Sequence, residues 1–234
     1  MIEHNILKAK TFINQSVARV RDVSLSRMFI DSIREIPLMD SKKTSQSKTP
    51  AWVLFARETL RTPRAIGTCW ASSERLAQTI ASFVPLTESG LVVELGGGTG
   101  QVTEALLQHG IAPEHLVSIE QSANMADYLR KRCPQIRVLK GDALHLCHLL
   151  GDDYRRVSTV VSGLPFRSLP DAIGHGIIKQ IDDVLPKNGL LIQFTYDLSG
   201  RKMLFMPNFK HISHKIVWSN IPPARVDVYQ KKEE

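Results

Sequence analysis

A run of aliphatic residues that stops at alternating glycines, VVELGGGTGQ (residues 92–101), limits the fold of this chain more than any other stretch. The spacing predicts a buried strand ending at Leu95. Glycines at 96, 98 and 100 let the backbone turn tightly and approach a ligand that a Cβ would exclude. A helix starting near Gln101 then carries the chain back. The alternation continues from there. LVVELG, HLVSIE, IRVLKG, VSTVVSG, LLIQFTY, HKIVWSN and RVDVYQK read as strands, with helices expected from near Gln101, Ser122, Leu144 and Asp171. Strands alternating with helices predict an α/β fold, a doubly wound sheet of seven mostly parallel strands. The last two strands leave little room for a helix between them, which predicts an antiparallel C-terminal edge.

The first third reads differently. Ile6, Ala9, Ile13, Val17 and Val20, then Leu25, Phe29, Ile33 and Ile36, recur at helical spacing. The polar stretch LMDSKKTSQSKTP has no periodicity and is expected to be a mobile linker. Residues 1–48 are therefore assigned to a helical extension and linker, and residues 49–234 to the α/β domain. Thr49-Pro50 opens a helix in which Trp52 and Phe55 lie on one side and Arg57, Arg61 and Arg64 on another. Such a helix suits an anionic membrane surface, and it equally suits a cover helix with solvated arginines. The basic excess of the N-terminal third suits an anionic partner, a phosphate backbone or a lipid surface, and on charge alone it suits a solvated face equally. Residues 1–85 hold 13 Lys and Arg against 7 Asp and Glu, whereas the remaining residues hold 17 against 16. Ser72 is expected to cap the helix SERLAQTIASF.

No apolar leader is visible at the N-terminus, and the longest stretch free of charged residues, Leu76–Thr87, is too short to span a bilayer. Three cysteines without a CxxC pair fit a reducing compartment. His145, Cys147 and His148 sit close together in DALHLCHLL, but no complementary cluster exists elsewhere, so no metal is expected.

A dinucleotide fingerprint requires glycine at position 101, which is Gln101. The G-x-G-x-G form preceded by Glu94 instead resembles the first motif of the class I S-adenosylmethionine-dependent methyltransferases, which have a Rossmann-like fold. Glu120 ends the second strand, where a carboxylate can accept both ribose hydroxyls. The resemblance implies that Asp142, with Ala143 behind it, meets the adenine end and that Glu94 serves the methionine ammonium. It also implies S-adenosylmethionine as cofactor and S-adenosylhomocysteine as product.

VVSGLPFRSLP, at the end of the fourth strand, resembles the Asn-Leu-Pro-Tyr acceptor motif of the ribosomal RNA adenine dimethyltransferases. Here Ser162-Gly163 stands before Leu164-Pro165, and Phe166 takes the aromatic place. The loss of the Asn amide weakens the case for an adenine acceptor, while an aromatic face also attracts an alkylammonium. A closer resemblance is to the bacterial soluble-type phospholipid N-methyltransferases. It rests on TPRAIGTCWASSERLA, VVELGGGTGQVT, VVSGLPFRSLP, LLIQFTYD and VWSNIPPARVDVY, in that order. It implies stepwise methylation of phosphatidylethanolamine towards phosphatidylcholine, in the cytoplasm at the inner membrane's cytoplasmic face. Ser162, Gly163, Leu164, Phe166 and Tyr196 would surround the reacting groups, with Ser162 also touching cofactor. Tyr196, Arg167 and Arg225 are candidates for the headgroup, with a structural role near the sheet edge favoured for Arg225. The expected partner is an anionic phospholipid surface carrying the lipid substrate.

Three readings stay open: an amino-lipid methyltransferase with phosphatidylethanolamine or ornithine lipid as acceptor, an RNA adenine methyltransferase, and a membrane-associated protein without turnover. Nucleic acid is disfavoured by the missing Asn and by the lack of a segment after the sheet that would bind RNA.

Overall fold

The computed structural model describes residues 67–86, 90–199 and 206–233, with backbone alone over 67–73. Five α-helices and seven strands are found among them. In chain order they are α1 (Gly67–Ala81), β1 (Leu91–Leu95), α2 (Gln101–His109), β2 (Leu116–Glu120), α3 (Ala123–Arg132), β3 (Arg137–Lys140), α4 (Leu146–Leu150), β4 (Val157–Ser162), α5 (Asp171–Val184), β5 (Leu190–Thr195), β6 (Phe209–Val217) and β7 (Ala224–Lys231). All seven expected strands form, and the helices begin where the alternation predicts. Ser72 falls inside α1 rather than at its cap, because the helix starts five residues earlier. The N-terminal extension, the linker and the basic helix with Trp52, Phe55, Arg57, Arg61 and Arg64 lie outside the described residues.

The strands form one sheet in the order β3-β2-β1-β4-β5-β7-β6. β1 to β5 are parallel, and β7 runs antiparallel between β5 and β6. This is the expected mostly parallel sheet with an antiparallel edge. Strand order reverses between β1 and β4, the switch point at which a doubly wound sheet opens a crevice beyond its carboxyl ends.

Parallel central strands are covered on both faces and so are apolar throughout. β1 is buried at all five positions. On one face Leu76, Ile80, Leu106, Leu129, Val161 and Ile192 knit α1, α2 and α3 to the sheet. On the other, Leu146, Leu150, Val160, Ile177, Ile181 and Leu191 do the same for α4 and α5. α5 meets this demand with Ile177, Ile178, Ile181 and Val184, a repeat of three and four that lines one side of a helix. These two layers fix the strand ends relative to one another, and the strand ends carry the site.

Candidate active site

Three loops leave the carboxyl edge of the parallel strands, and each starts with a glycine whose N–H extends the sheet ladder. Gly96 N–H donates to the Ile119 carbonyl at 2.8 Å, Gly141 N–H to Glu120 at 3.0 Å, and Gly163 N–H to Leu95 at 2.9 Å. The loops after β1, β3 and β4 are thereby held beside their neighbours.

The first loop needs its glycines for two reasons. Gly96, Gly98 and Gly100 have φ of 80°, 52° and 85°, the left-handed region that L side chains avoid. Gly97, which the sequence argument passed over, is the tightest sterically. A Cβ there would run into Ser118 Oγ and come within 2.6 Å of Leu129 Cδ2. Beneath the loop lies Glu94, 2% exposed. Its Oε2 accepts the hydroxyls of Thr103 at 2.6 Å and Ser118 at 2.7 Å. Burial raises the pKa of this carboxyl, opposed by those two hydroxyls, while the charge of Glu120 adds to the rise. Glu94 thus ties the start of α2 to β2 under the loop. That anchoring role was not expected from sequence.

Glu120 is half-buried at the end of β2, and its carboxylate accepts the backbone N–H of Gly98 at 3.0 Å and of Ser122 at 2.8 Å. At the next strand end, Asp142 accepts Leu144 N–H at 2.9 Å and the Gln121 amide at 2.8 Å. Gln121 therefore stands between the two acids. A carboxylate has about four lone-pair directions, so each acid is fixed by two bonds and keeps acceptor capacity. That set suits S-adenosylmethionine. Two ordered carboxylates at adjacent strand ends offer acceptors for ribose hydroxyls and an exocyclic amine, and a loop in which Thr99 alone carries a side chain lets a ligand lie against backbone. Ala143 is buried in the core below Asp142 and brings no polar group.

The Gly-Leu-Pro turn lies across the switch point from the glycine loop. A Cβ on Gly96 would meet Leu164 Cδ2 at 3.2 Å, and one on Gly163 would sit 3.4 Å from the carbonyls of Leu95 and Gly96. Ser162 is buried, and its Oγ accepts Leu164 N–H at 3.2 Å, so it braces the turn. A further brace is Gln193 on β5, paired in register with Ser162. Its Nε2 donates to the carbonyls of Leu164 at 2.9 Å and Phe194 at 2.7 Å. Its Oε1 is buried with no hydrogen-bond partner. The only trace of Gln193 in the sequence is a lone amide in an apolar strand.

Of the residues expected on the acceptor side, Phe166 needs correction and the two arginines are found in ion pairs. Phe166 is not presented to an acceptor. It is 4% exposed and packs in the core with Leu169 and Ile177, because the chain turns inward through a 3₁₀ turn at Phe166–Ser168. Arg167 is held by Asp197, Nη1 to Oδ2 at 2.8 Å. Arg225 is 11% exposed and its Nε donates to Asp227 Oδ1 at 2.8 Å, an oxygen that also lies 2.8 Å from His211 Nε2. Arg225 is therefore structural. Burial pushes the phenol of neighbouring Tyr229 up to about 12, and Asp227 adds to the rise. Tyr196 does stand at the rim where expected, 42% exposed, with its ring edge-on to Phe194.

Residues 92–189 match the family model described as a methyltransferase domain. The chain is 26% identical over 175 residues to an ornithine lipid N-methyltransferase of Singulisphaera acidiphila, a match spanning 73% of this chain and 91% of that protein. It is 29% identical over 106 residues to the ribosomal RNA small subunit methyltransferase A of Maridesulfovibrio salexigens, spanning 45% of this chain and 39% of that one. Among solved structures, the N-methyltransferase NodS from Bradyrhizobium japonicum in complex with S-adenosylhomocysteine superposes with a TM-score of 0.56 at 13% identity, over 76% of this chain and 99% of that one. TrmN from Thermus thermophilus gives 0.55 at 18%, over 70% and 51%. These two likenesses establish the Rossmann-like fold. With the methyltransferase domain matched over residues 92–189, across β1 to β4, and a glycine-rich loop beside two ordered acids, the chain carries an S-adenosylmethionine-dependent methyltransferase domain.

Proposed function

We propose that this enzyme N-methylates the primary amine of an amino-lipid headgroup, at the cytoplasmic face of the membrane that holds the lipid. Ornithine lipid and phosphatidylethanolamine are the acceptors to try first. The observation that carries the reading is the extent of the match to the ornithine lipid enzyme, 91% of its length, against 39% for the RNA enzyme. A match across nearly a whole protein takes in the acceptor side of the site as well as the cofactor side.

The turn at residues 162–166 supports it too. No side-chain amide is contributed by the turn itself, since Ser162 bonds inward to Leu164 N–H. Rigid recognition of a base edge needs such a directional pair, whereas an alkylamine needs one or two acceptors and room. When bound, S-adenosylmethionine supplies a methyl already activated by its sulfonium. What remains for the protein is to hold a nitrogen lone pair in line and to let the ammonium proton leave first. Backbone carbonyls of the braced turn are oriented acceptors for the amine, and Tyr196 at the rim is placed to contact the headgroup. Glu120 and Asp142 would hold the cofactor.

Transfer of labelled methyl from S-adenosylmethionine tests the reading. Mixed vesicles containing ornithine lipid, vesicles containing phosphatidylethanolamine, and ribosomal RNA are offered separately. Label in either lipid is the expected result and ranks the two acceptors. Label in RNA alone would overturn the proposal.

A further inference from the structure

The turn between β6 and β7 carries the two most exposed large hydrophobic side chains among the described residues. Trp218 is 69% exposed and Ile221 is 65% exposed, three residues apart. Large aromatic and aliphatic side chains placed together in water signal a partner more often than chance. The turn that carries them is not loose. Asn220, between them, is buried, donates its backbone N–H to the Val217 carbonyl at 3.2 Å, and donates Nδ2–H to the Pro222 carbonyl at 2.7 Å. The turn is stapled inward at Asn220, leaving Trp218 and Ile221 outside.

Topology sets this turn on the rim of the active site. β6 runs parallel to β5 because both are antiparallel to the strand between them. In register, Thr195 pairs with Arg225 and Arg225 pairs with Ile216, so the three lie in one row. Tyr196 is one residue beyond that row and Trp218 is two, on the same side. Two inter-strand steps separate the ends of β5 and β6, about 10 Å.

Charge selects the partner. Among the described residues, β6 and the turn after it carry exposed Lys210 and Lys215 and no Asp or Glu. Lys215 and Trp218 share a groove with Arg75, Gln78 and Thr79 of α1 and with Ser82 just after it. A second copy of the chain fits this edge poorly, since β6 pairing with itself would bring lysines together, a device that blocks edge association. An anionic lipid surface fits well: tryptophan prefers the headgroup level, an aliphatic neighbour dips below it, and lysines meet the lipid charge.

From this we infer that the β6–β7 turn is a membrane-docking surface for anionic phospholipid, which holds the carboxyl edge of the sheet against the bilayer while a headgroup reaches the cleft. The inference rests on the amino-lipid reading for its substrate, and its test separates the two. Full-length enzyme and the double variant Trp218→Ser/Ile221→Ser are compared for co-sedimentation with vesicles of phosphatidylglycerol and the amino-lipid. S-adenosylhomocysteine binding by calorimetry serves as the check on folding. Both proteins are also assayed on a short-chain, water-soluble lipid with the same headgroup.

The double variant is expected to lose vesicle partition by about tenfold or more, the scale of one large apolar side chain withdrawn from the interface. Cofactor binding and the rate on the soluble acceptor are expected to stay at the parent level. Trp218→Phe is expected to retain most of the partition. Vesicle binding by the double variant equal to the parent's would overturn the surface, and methylation of lipid by both would leave the acceptor reading standing. Dissociation of an oligomer by the double variant, with vesicle binding intact, would also overturn it in favour of a second copy. Conversely, docking that depends on Trp218 in an enzyme that methylates neither lipid form keeps the surface and sinks the acceptor.

Discussion

Glu94 and Gly97 illustrate how little room the cofactor loop has. Glu94 is a buried carboxyl with two hydroxyl donors, and burial disfavours its charged form. Because its folded pKa is raised above the ordinary value of 4.5, the stability it contributes is complete below that value and is lost as pH rises through the raised pKa. Glu94→Gln keeps an acceptor for Thr103 and Ser118 without the charge. Relative to the parent, this variant is expected to gain stability as pH increases from about 4.5 to 8, measured by urea unfolding at several pH values. A constant difference across that range would mean that burial does not raise the pKa of Glu94. Gly97→Ala works the other way. Its methyl group would collide with Ser118 Oγ and Leu129, and overpacking of that kind costs about 1–3 kcal/mol, visible as a lowered thermal midpoint. The sequence made Glu120 and Asp142 legible because strand ends can be located and acids there have few structural uses. Glu94 was legible as a position but not in its role, since no pattern in the sequence reveals that Ser118, 24 residues away, turns its hydroxyl towards it.

At the scale of elements, the alternation of strands and helices predicted all seven strands because each central strand is a continuous apolar run, the pattern that burial on both faces demands. Strand order was not legible, since it depends on which edge each helix returns to. That gap explains Arg225 and Phe166. Once β7 inserts between β5 and β6, Arg225 lies within the sheet, facing Asp227, and Phe166 follows the inward 3₁₀ turn into the layer beneath α5. Asp227→Ala would leave the Arg225 guanidinium buried without its carboxylate, and a loss of about 3 kcal/mol is expected in denaturant unfolding. Gln193 shows the reverse case, a residue whose effect is on the turn rather than on the fold. It ties β5 to the Leu164 carbonyl through one amide. Gln193→Leu, similar in volume, is expected to lower kcat by up to about a hundredfold, because a displaced turn misaligns the acceptor, while S-adenosylhomocysteine affinity stays at the parent value. Cofactor affinity that falls with kcat would assign Gln193 to the cofactor side instead.

At the scale of the whole molecule, the amino-lipid proposal requires a water-soluble nucleotide-like cofactor and an insoluble acceptor to meet on one edge of one sheet. The glycine loop, Glu120 and Asp142 occupy the part of that edge on the β1, β2 and β3 side, and the braced turn, Tyr196 and the β6–β7 turn occupy the other. Under that proposal the cofactor is received on one side of the switch point and the acceptor on the other, without either having to pass the other. Apolar contact and charge both act on the acceptor side, and they respond differently to salt. Attraction between exposed lysines and anionic lipid fades as the screening length falls from about 10 Å at 0.1 M to about 3 Å at 1 M, whereas burial of Trp218 and Ile221 does not. Methylation of vesicle lipid is accordingly expected to fall as salt is raised across that range, and methylation of a short-chain soluble acceptor with the same headgroup to hold steady. Lys215→Glu should reproduce the low vesicle rate already at low salt. Equal salt sensitivity for both acceptors would place the effect in the chemistry or in the cofactor half, and would mean that the basic edge of β6 plays no part in bringing the lipid to the site.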